Sequence, residues 1–568
     1  MFRKSEKNPQ LDAFMNVPNY LDSKASKVYS DQKHWHNQFR EQVVVKINEG
    51  EFGILYSETM GAPNSPIRIL AGMMILKEAF GWSDSQLFEQ CQFNLLIRSA
   101  LGLTNMNDTI PVQSTYYLFR QKIHQHQMQT GEDLFEKIFK EITNLQVKEF
   151  NVNGREIRMD SKLFGSNIAT YSRYEIIIET LKLFCKSENQ ISKRLSSTEK
   201  NQLEQILKED PQKTIYHSTR EEINDGLQSI GILIYKLLKY SKGTHSEAFE
   251  LLNRVFDEQY KISSQGQKVT LRPKQEISSS SVQSPHDPDC TYRNKGGQKV
   301  KGYSANLTET CSDEGLNLIT SVMVESANTS DTTFVEKAIE DTKEVAGQPV
   351  KVAYMDGGYQ TPDNETFSQD IDLVYTGIQG AASRFDLEPK LDGLWVTDTQ
   401  TGEKFLSRKV KKQKNSTEDR YQIKTAEGKY RYFGAIEIRA SELRRQIKQR
   451  PKAQAQKRNN VEATIYHFGC ELKKQKTKYR GLIKQKIWSF CRCLWINLVR
   501  IVKYSVDLDR KTNTKAKNQT LLGFFDLTST ILNHLAQKLL NLLNLPKRIL
   551  NHFTIIARLR YCGAARKW

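Results

Sequence analysis

A mixed α/β fold is predicted for this chain: a five-stranded sheet of parallel and antiparallel strands with helices on both faces. Three patterns predict it. Apolar residues between 62 and 145 recur at helical spacing, short apolar or alternating runs occupy 155–160 and several stretches after Lys299, and a helical pattern separates two of those runs. A length of 568 residues allows about three or four domains at roughly 100 to 200 residues each.

Taken in order, residues 1–60 are mixed and polar and form an N-terminal segment. Residues 61–148 read as a helical domain that begins at Ala62-Pro-Asn-Ser-Pro66 and continues through Ile67, Leu70, Met73, Met74, Leu76 and Phe80. Within it, Ser114–Lys122 is aromatic and basic; it suits a helix facing DNA and equally an amphipathic core helix. A strand, Arg155 to Asp160, opens the core at 149–169. A helical insertion and linker follow at 170–284, ending in a Ser-rich stretch, Ile277–Ser281, read as flexible and solvated. The core resumes at 285–378 with strands over 300–307, 316–324, 350–356 and 371–375, and with a helix capped by Ser330 or Asp331. Residues 379–456 alternate around Thr401-Gly402 and Glu427-Gly428, as a small antiparallel β insertion does. A long basic helix is expected from Arg458 to Val506, with 457–506 completing the core and 507–568 forming a basic helical tail. Three strands, then helix, strand, helix, strand is the order of an RNase H-like core.

The net charge of +19 is uneven. Residues 401–568 hold 39 Lys and Arg against 11 Asp and Glu, or +28, which leaves −9 for residues 1–400. A basic block of this kind suits a surface that neutralises phosphates. Eight cysteines without paired Cys-x-x-Cys spacing support neither a zinc site nor a disulfide framework. No apolar run reaches the roughly 18 residues that cross a bilayer, and the first residues lack a signal-peptide segment, so a cytoplasmic protein with no membrane partner is expected.

Phosphodiester cleavage by two divalent ions needs carboxylates that converge on ions about 3.5 to 4 Å apart. Hard oxygen ligands suit Mg²⁺, or Mn²⁺, with water and phosphate filling the remaining positions. Asp160 and Asp356 each end an apolar strand, where an ionised carboxylate must be paired, metal-bound or at the rim. Gly357 and Gly358 would let the chain turn and leave space over Asp356 for a phosphate. Glu462 lies one turn into the expected long helix, with Arg458 four residues before it and Lys473 eleven after it, all on one face. Singly, each acid also reads as a turn residue or a helical ion pair; together they suggest one site. Asp287, in Ser284-Pro-His-Asp-Pro-Asp289, and Asn328 and Asp331 are further candidates near it, with turn formation and helix capping as the alternatives. His467 reads as packing.

Met159-Asp160-Ser161, Tyr354-Met-Asp356-Gly-Gly-Tyr359 and Asn460-Val-Glu462-Ala-Thr-Ile-Tyr-His-Phe468, with Lys478-Tyr-Arg-Gly-Leu482 after them, resemble the three acidic motifs of bacterial insertion-sequence DDE transposases. Residues 62–145 resemble the domain that many of those enzymes carry before the catalytic core. The resemblance spans roughly 60–505. It implies catalytic and metal-binding roles for Asp160, Asp356 and Glu462, two Mg²⁺ ions, and DNA contacts by Arg458, Lys473, Lys478 and Arg480. It also implies cleavage at the ends of an element and joining to target DNA. The partner would be double-stranded DNA, as terminal inverted repeats and target, bound by a dimer on paired ends in a nucleoid-associated protein. Ala455 and Gly469 stand where relatives often place a Tyr and a Lys. A descendant that binds DNA without cutting it, or an RNase H-like nuclease that does not transpose, shares these residues.

Overall fold

The computed structural model describes residues 1–4, 17–188, 194–241, 243, 245–263, 268–313, 315–378, 384–410 and 419–510. Most of the expected basic tail therefore lies outside the described residues. Met1–Arg500 form one compact unit and Ile501–Trp568 a second, of which residues 501–510 are helical.

Residues 17–150 fold mainly as helices whose ends obey local rules. Helix α1 (Ile67–Phe80) follows Pro66 and stops at Gly81, whose φ of 63° a side chain would resist. It is buried on nearly every side, so its apolar residues form no narrow stripe. Helix α2 (Gln113–Thr130) ends at Gly131, and α3 (Leu134–Glu149) is capped by the Asp133 carboxylate. In the Ser114–Lys122 stretch of α2, Tyr116 and Phe119 are buried while Tyr117 and Leu118 are exposed.

Six strands form the main sheet: β1 (Glu156–Gly165), β2 (Thr291–Lys295), β3 (Gln298–Thr310), β4 (Ile319–Ser326), β5 (Val352–Met355) and β6 (Asp372–Tyr375). The order is β4-β3-β1-β5-β6, with β2 paired to the first half of β3. Strand β1 runs antiparallel to β3 and parallel to β5, and β5 runs parallel to β6. This is the RNase H-like arrangement, extended by one short strand. The β2–β3 hairpin turns on Gly296 and Gly297, both at positive φ. Helix α4 (Val335–Ala346) makes the crossover from β4 to β5. Ile157 and Met159 of β1 pack with Phe334, Val335, Ala338 and Ile339 on that face. Alternation then sends Arg158 and Asp160 to the opposite face.

Three expectations need correction. Strand β1 does not stop at Asp160; it pairs with β3 as far as Gly165, so Asp160 is a mid-strand residue. The Ser-rich stretch is exposed at Ser278, Ser279 and Ser280 as expected, but its end is packed: Ser281 and the following Val282 are buried, and Arg254 and Glu258 of the insertion's last helix bind the Ser280 carbonyl and the Val282 amide. The long helix is two helices. Helix α5 (Asn460–Gly469) ends in a loop in which Lys474 and Gln475 take left-handed φ values of 52° and 58°, and α6 covers 482–510. That loop docks on the end of β1: Gly165 N–H donates to the Gln475 carbonyl at 2.7 Å. Lys473 is thus off the helix that carries Glu462.

Among its described residues the insertion at 173–259 comprises five helices around a core of its own. Among its described residues the β insertion is two three-stranded sheets, one of Phe385–Lys390, Gly393–Asp398 and Lys404–Leu406 and a second of Arg408–Val410, Arg420–Lys424 and Tyr430–Phe433, packed over Phe385, Leu387, Leu394, Val396, Ile423 and Phe433. No helix among the described residues is long and apolar enough to cross a membrane.

Candidate active site

Asp160 is 9% exposed in the centre of the sheet. Its Oδ1 accepts the Ser161 amide at 2.8 Å and its Oδ2 accepts Arg458 Nη2 at 2.7 Å. Burial pushes its carboxyl up, and the charge of Asp356 adds to the rise; Arg458 and the Ser161 amide oppose it without cancelling it. Asp356 follows β5 directly and caps the short turn Gly357–Tyr359, accepting Gly358 N–H at 2.7 Å. Its Oδ2 lies 3.9 Å from the same Arg458 nitrogen that holds Asp160. Glu462 approaches the other side of that guanidinium, 3.4 Å from Nη1, with its side chain 66% exposed. The three acids named from the sequence thus surround one cation, Arg458. Its side chain is 14% exposed, and its Nε is buried without a hydrogen-bond partner.

The turn that carries Arg458, Lys457–Asn459, is anchored to β1. Arg158 Nη1 donates to the Lys457 carbonyl at 3.2 Å, and Lys457 Nζ pairs with Glu156 at 2.9 Å. Helix α5 is fixed by Glu309, a β3 residue opposite Arg158 in the sheet and wholly buried. Glu309 accepts Arg158 Nε at 2.5 Å, Thr464 Oγ1 at 2.6 Å and Arg500 Nη2 at 2.6 Å. Burial would raise this carboxyl, but Arg500 and Arg158 outweigh it and hold it below the usual range. One acid so joins the strand of Asp160, the helix of Glu462 and α6. The buried Arg492 of α6 acts similarly at the far end of α5, donating to the His467 and Phe468 carbonyls and to those of Glu78 and Ala79 in α1.

Neither Glu309 nor Arg492 was singled out from the sequence. An acid within the apolar-alternating run 300–310 was the available signal for the first; nothing local marks the second.

A further acid stands close by. Asp331 is buried and paired with Arg293 at 3.1 Å and Lys295 at 3.2 Å, while Ser330 makes the helical cap. Between these groups lies Tyr359, whose hydroxyl accepts Asn306 Nδ2 at 2.7 Å. Burial and the charges of Asp160, Asp331 and Asp356 push that hydroxyl well above its usual range. Asn328 instead binds the Thr291 hydroxyl at 2.8 Å.

Other candidates are elsewhere. Asp287 is buried at the other end of β1, holding the Ser166 and Tyr303 hydroxyls. Lys478 and Arg480 are in the 470–481 loop, where they bind the carbonyls of Gly81 and Asn167. Lys473 is in that loop as well, exposed. His467 is exposed rather than packed. Gly357 has a steric reason of its own: a Cβ there would lie 2.6 Å from the Gly377 carbonyl oxygen, so the space is filled by backbone.

Among the described residues, no three His, Cys, Asp or Glu side chains are grouped so as to hold a metal ion as they stand. The donor set is nonetheless all oxygen, and two carboxylates share one nitrogen of one cation. An all-oxygen set of this kind is compatible with a hard divalent ion.

Residues 28–122, from the helix Ser23–Ser30 into α2, match the family model described as a transposase domain (DUF772). No curated protein and no solved structure matches the chain. That stretch, similar to a transposase domain, precedes the RNase H-like sheet in the chain.

Proposed function

We propose that this protein is a DNA transposase that cleaves at the ends of an insertion sequence and joins them to target DNA, using Asp160, Asp356 and Glu462. The observation that carries this reading is the convergence of the three acids on Arg458 from a mid-sheet strand, a strand end and a separate helix. Two divalent ions, Mg²⁺ or Mn²⁺, would supply an activated water and charge stabilisation at the scissile phosphate when bound. The chain's own part is positional. Asp160 and Asp356 offer oxygens held by the Ser161 and Gly358 amides, and Glu462 stands at the other side of the same guanidinium. Arg458 occupies the cationic centre in the free protein and would pass to a phosphate oxygen when DNA enters, as a guanidinium suits phosphate. Lys473, Lys478 and Arg480 follow on the adjoining loop as DNA contacts.

The partners in this reading are double-stranded terminal repeats and target DNA, held by a dimer, in a cytoplasmic, nucleoid-associated protein. Asp356→Asn is expected to abolish metal-dependent cleavage of an element-end duplex and to leave binding of that duplex nearly unchanged. Retained cleavage would remove the assignment. The exposure of Glu462 favours one second reading, a descendant that binds DNA without cutting it; absence of any nicking by the wild-type protein in Mg²⁺ and in Mn²⁺ would select it. Cleavage without joining of candidate ends would instead select a nuclease.

A further inference from the structure

The second sheet of the β insertion has one face in the core and one face in water. Tyr421, Ile423 and Phe433 point inward, where Ile423 and Phe433 are buried against Phe385, Leu387 and Val396. Period-two alternation sends Gln422, Lys424, Tyr430 and Tyr432 outward. Register places Arg408, Gln422 and Tyr432 in one row across the three strands, and Lys424 and Tyr430 in the next. Val410 and Arg420 make a third row. No position in these rows is acidic. Tyr430 and Tyr432 are 57% and 53% exposed. The Gln422 amide donates to the Tyr432 hydroxyl at 3.0 Å, and Lys424 Nζ lies 6.0 Å from the Tyr430 ring centre.

We propose that this outer face is a stacking platform for single-stranded DNA, on which Tyr430 and Tyr432 each take one base while Arg408, Arg420 and Lys424 follow the phosphates. Two rings one strand-repeat apart, about 7 Å, offer neighbouring π faces, and aromatic rings set among cations on an open sheet serve strands whose bases are unpaired. A duplex hides its base faces, so it would meet only the cations. The inference rests on the reading of the protein as a DNA-processing enzyme and gives this insertion a substrate form: the unpaired strand that cutting and joining create.

The test uses the full chain and fluorescence anisotropy with labelled oligo-dT, a duplex of equal length and oligo-U. Tyr430→Ala with Tyr432→Ala is expected to weaken oligo-dT binding by roughly five- to a hundredfold per ring and to leave duplex binding within about threefold. The Tyr→Phe pair should bind as the wild type does, because stacking needs the ring and not the hydroxyl. Both rings are exposed, so the variants should melt with the wild type. Three results would overturn the proposal: unchanged oligo-dT affinity in the Ala pair, equal weakening for duplex and single strand, or tighter binding of oligo-U than of oligo-dT. Asp356→Asn should bind oligo-dT normally; if that variant still cleaves DNA, the catalytic reading fails while this platform stands.

Discussion

Strand β1 and helix α5 bring their acids to the same guanidinium by opposite means. Asp160 is held by nine ladder pairs to β3, by burial and by its own amide contact, and its carboxyl is raised for want of enough opposing charge. Glu462 stands on a ten-residue helix with its side chain in water, and what fixes it is indirect: Thr464, two residues on, bound to Glu309. A sheet positions a side chain by its own hydrogen bonds, whereas a lone helix on a sheet takes its position from the few side chains that tie it down. The site is therefore rigid on one side and adjustable on the other.

Breaking the rigid side should have the largest effect. Asp356→Asn removes a sheet-held oxygen and should lower cleavage by roughly a thousandfold or more, the scale of several kcal/mol of lost charge stabilisation, as read by single-turnover cleavage of an end duplex. Next comes the tie between the two sides. Glu309→Ala leaves Arg158 and Arg500 without their buried counter-charge and should cost about 3 to 5 kcal/mol in denaturant unfolding. A smaller loss would mean that α5 is held by other contacts.

The same carboxyl gives a pH dependence whose sign follows from its lowered pKa. Its contribution is complete above the unfolded value of about 4.3 and is lost as pH falls through the lower folded value. Stability should decline in that acid window, and Glu309→Gln should flatten that limb of a thermal-melt profile taken against pH. Gly357→Ala, which pushes a methyl group against the Gly377 backbone beside Asp356, should cost about 1 to 3 kcal/mol by thermal melting. Smallest in stability is Glu462→Gln. At 66% exposure it should shift unfolding by no more than about 0.5 kcal/mol while still suppressing cleavage, and a large stability loss would contradict the adjustable side of the comparison.

Much of the sheet was legible because its signals are local. Val350 to Met355 is an apolar run short enough for a buried strand, and an Asp followed by two glycines marks its end. Asp160 was found for an inexact reason: it was placed at a strand end, but the polar run Ser161-Lys162 after it continues the strand, paired to Asn306 and Ala305. The break between α5 and α6 was hidden because Lys473-Lys-Gln-Lys476 are good helix formers. The chain bends where that loop docks on Gly165, Asn167 and Gly81, contacts that residue propensity does not reveal.

By itself the sequence determined the alternation of apolar strands and helices, the acids spaced along it and the basic charge of the last third, since each depends on residue type and neighbours in the chain. Tertiary structure alone decided that Arg458 stands among the three acids, that Glu309 joins two of their supports, and that Lys478 and Arg480 bind backbone carbonyls. Those outcomes depend on groups hundreds of residues apart meeting in a dry interior, where a charge must find a partner and only packing determines which.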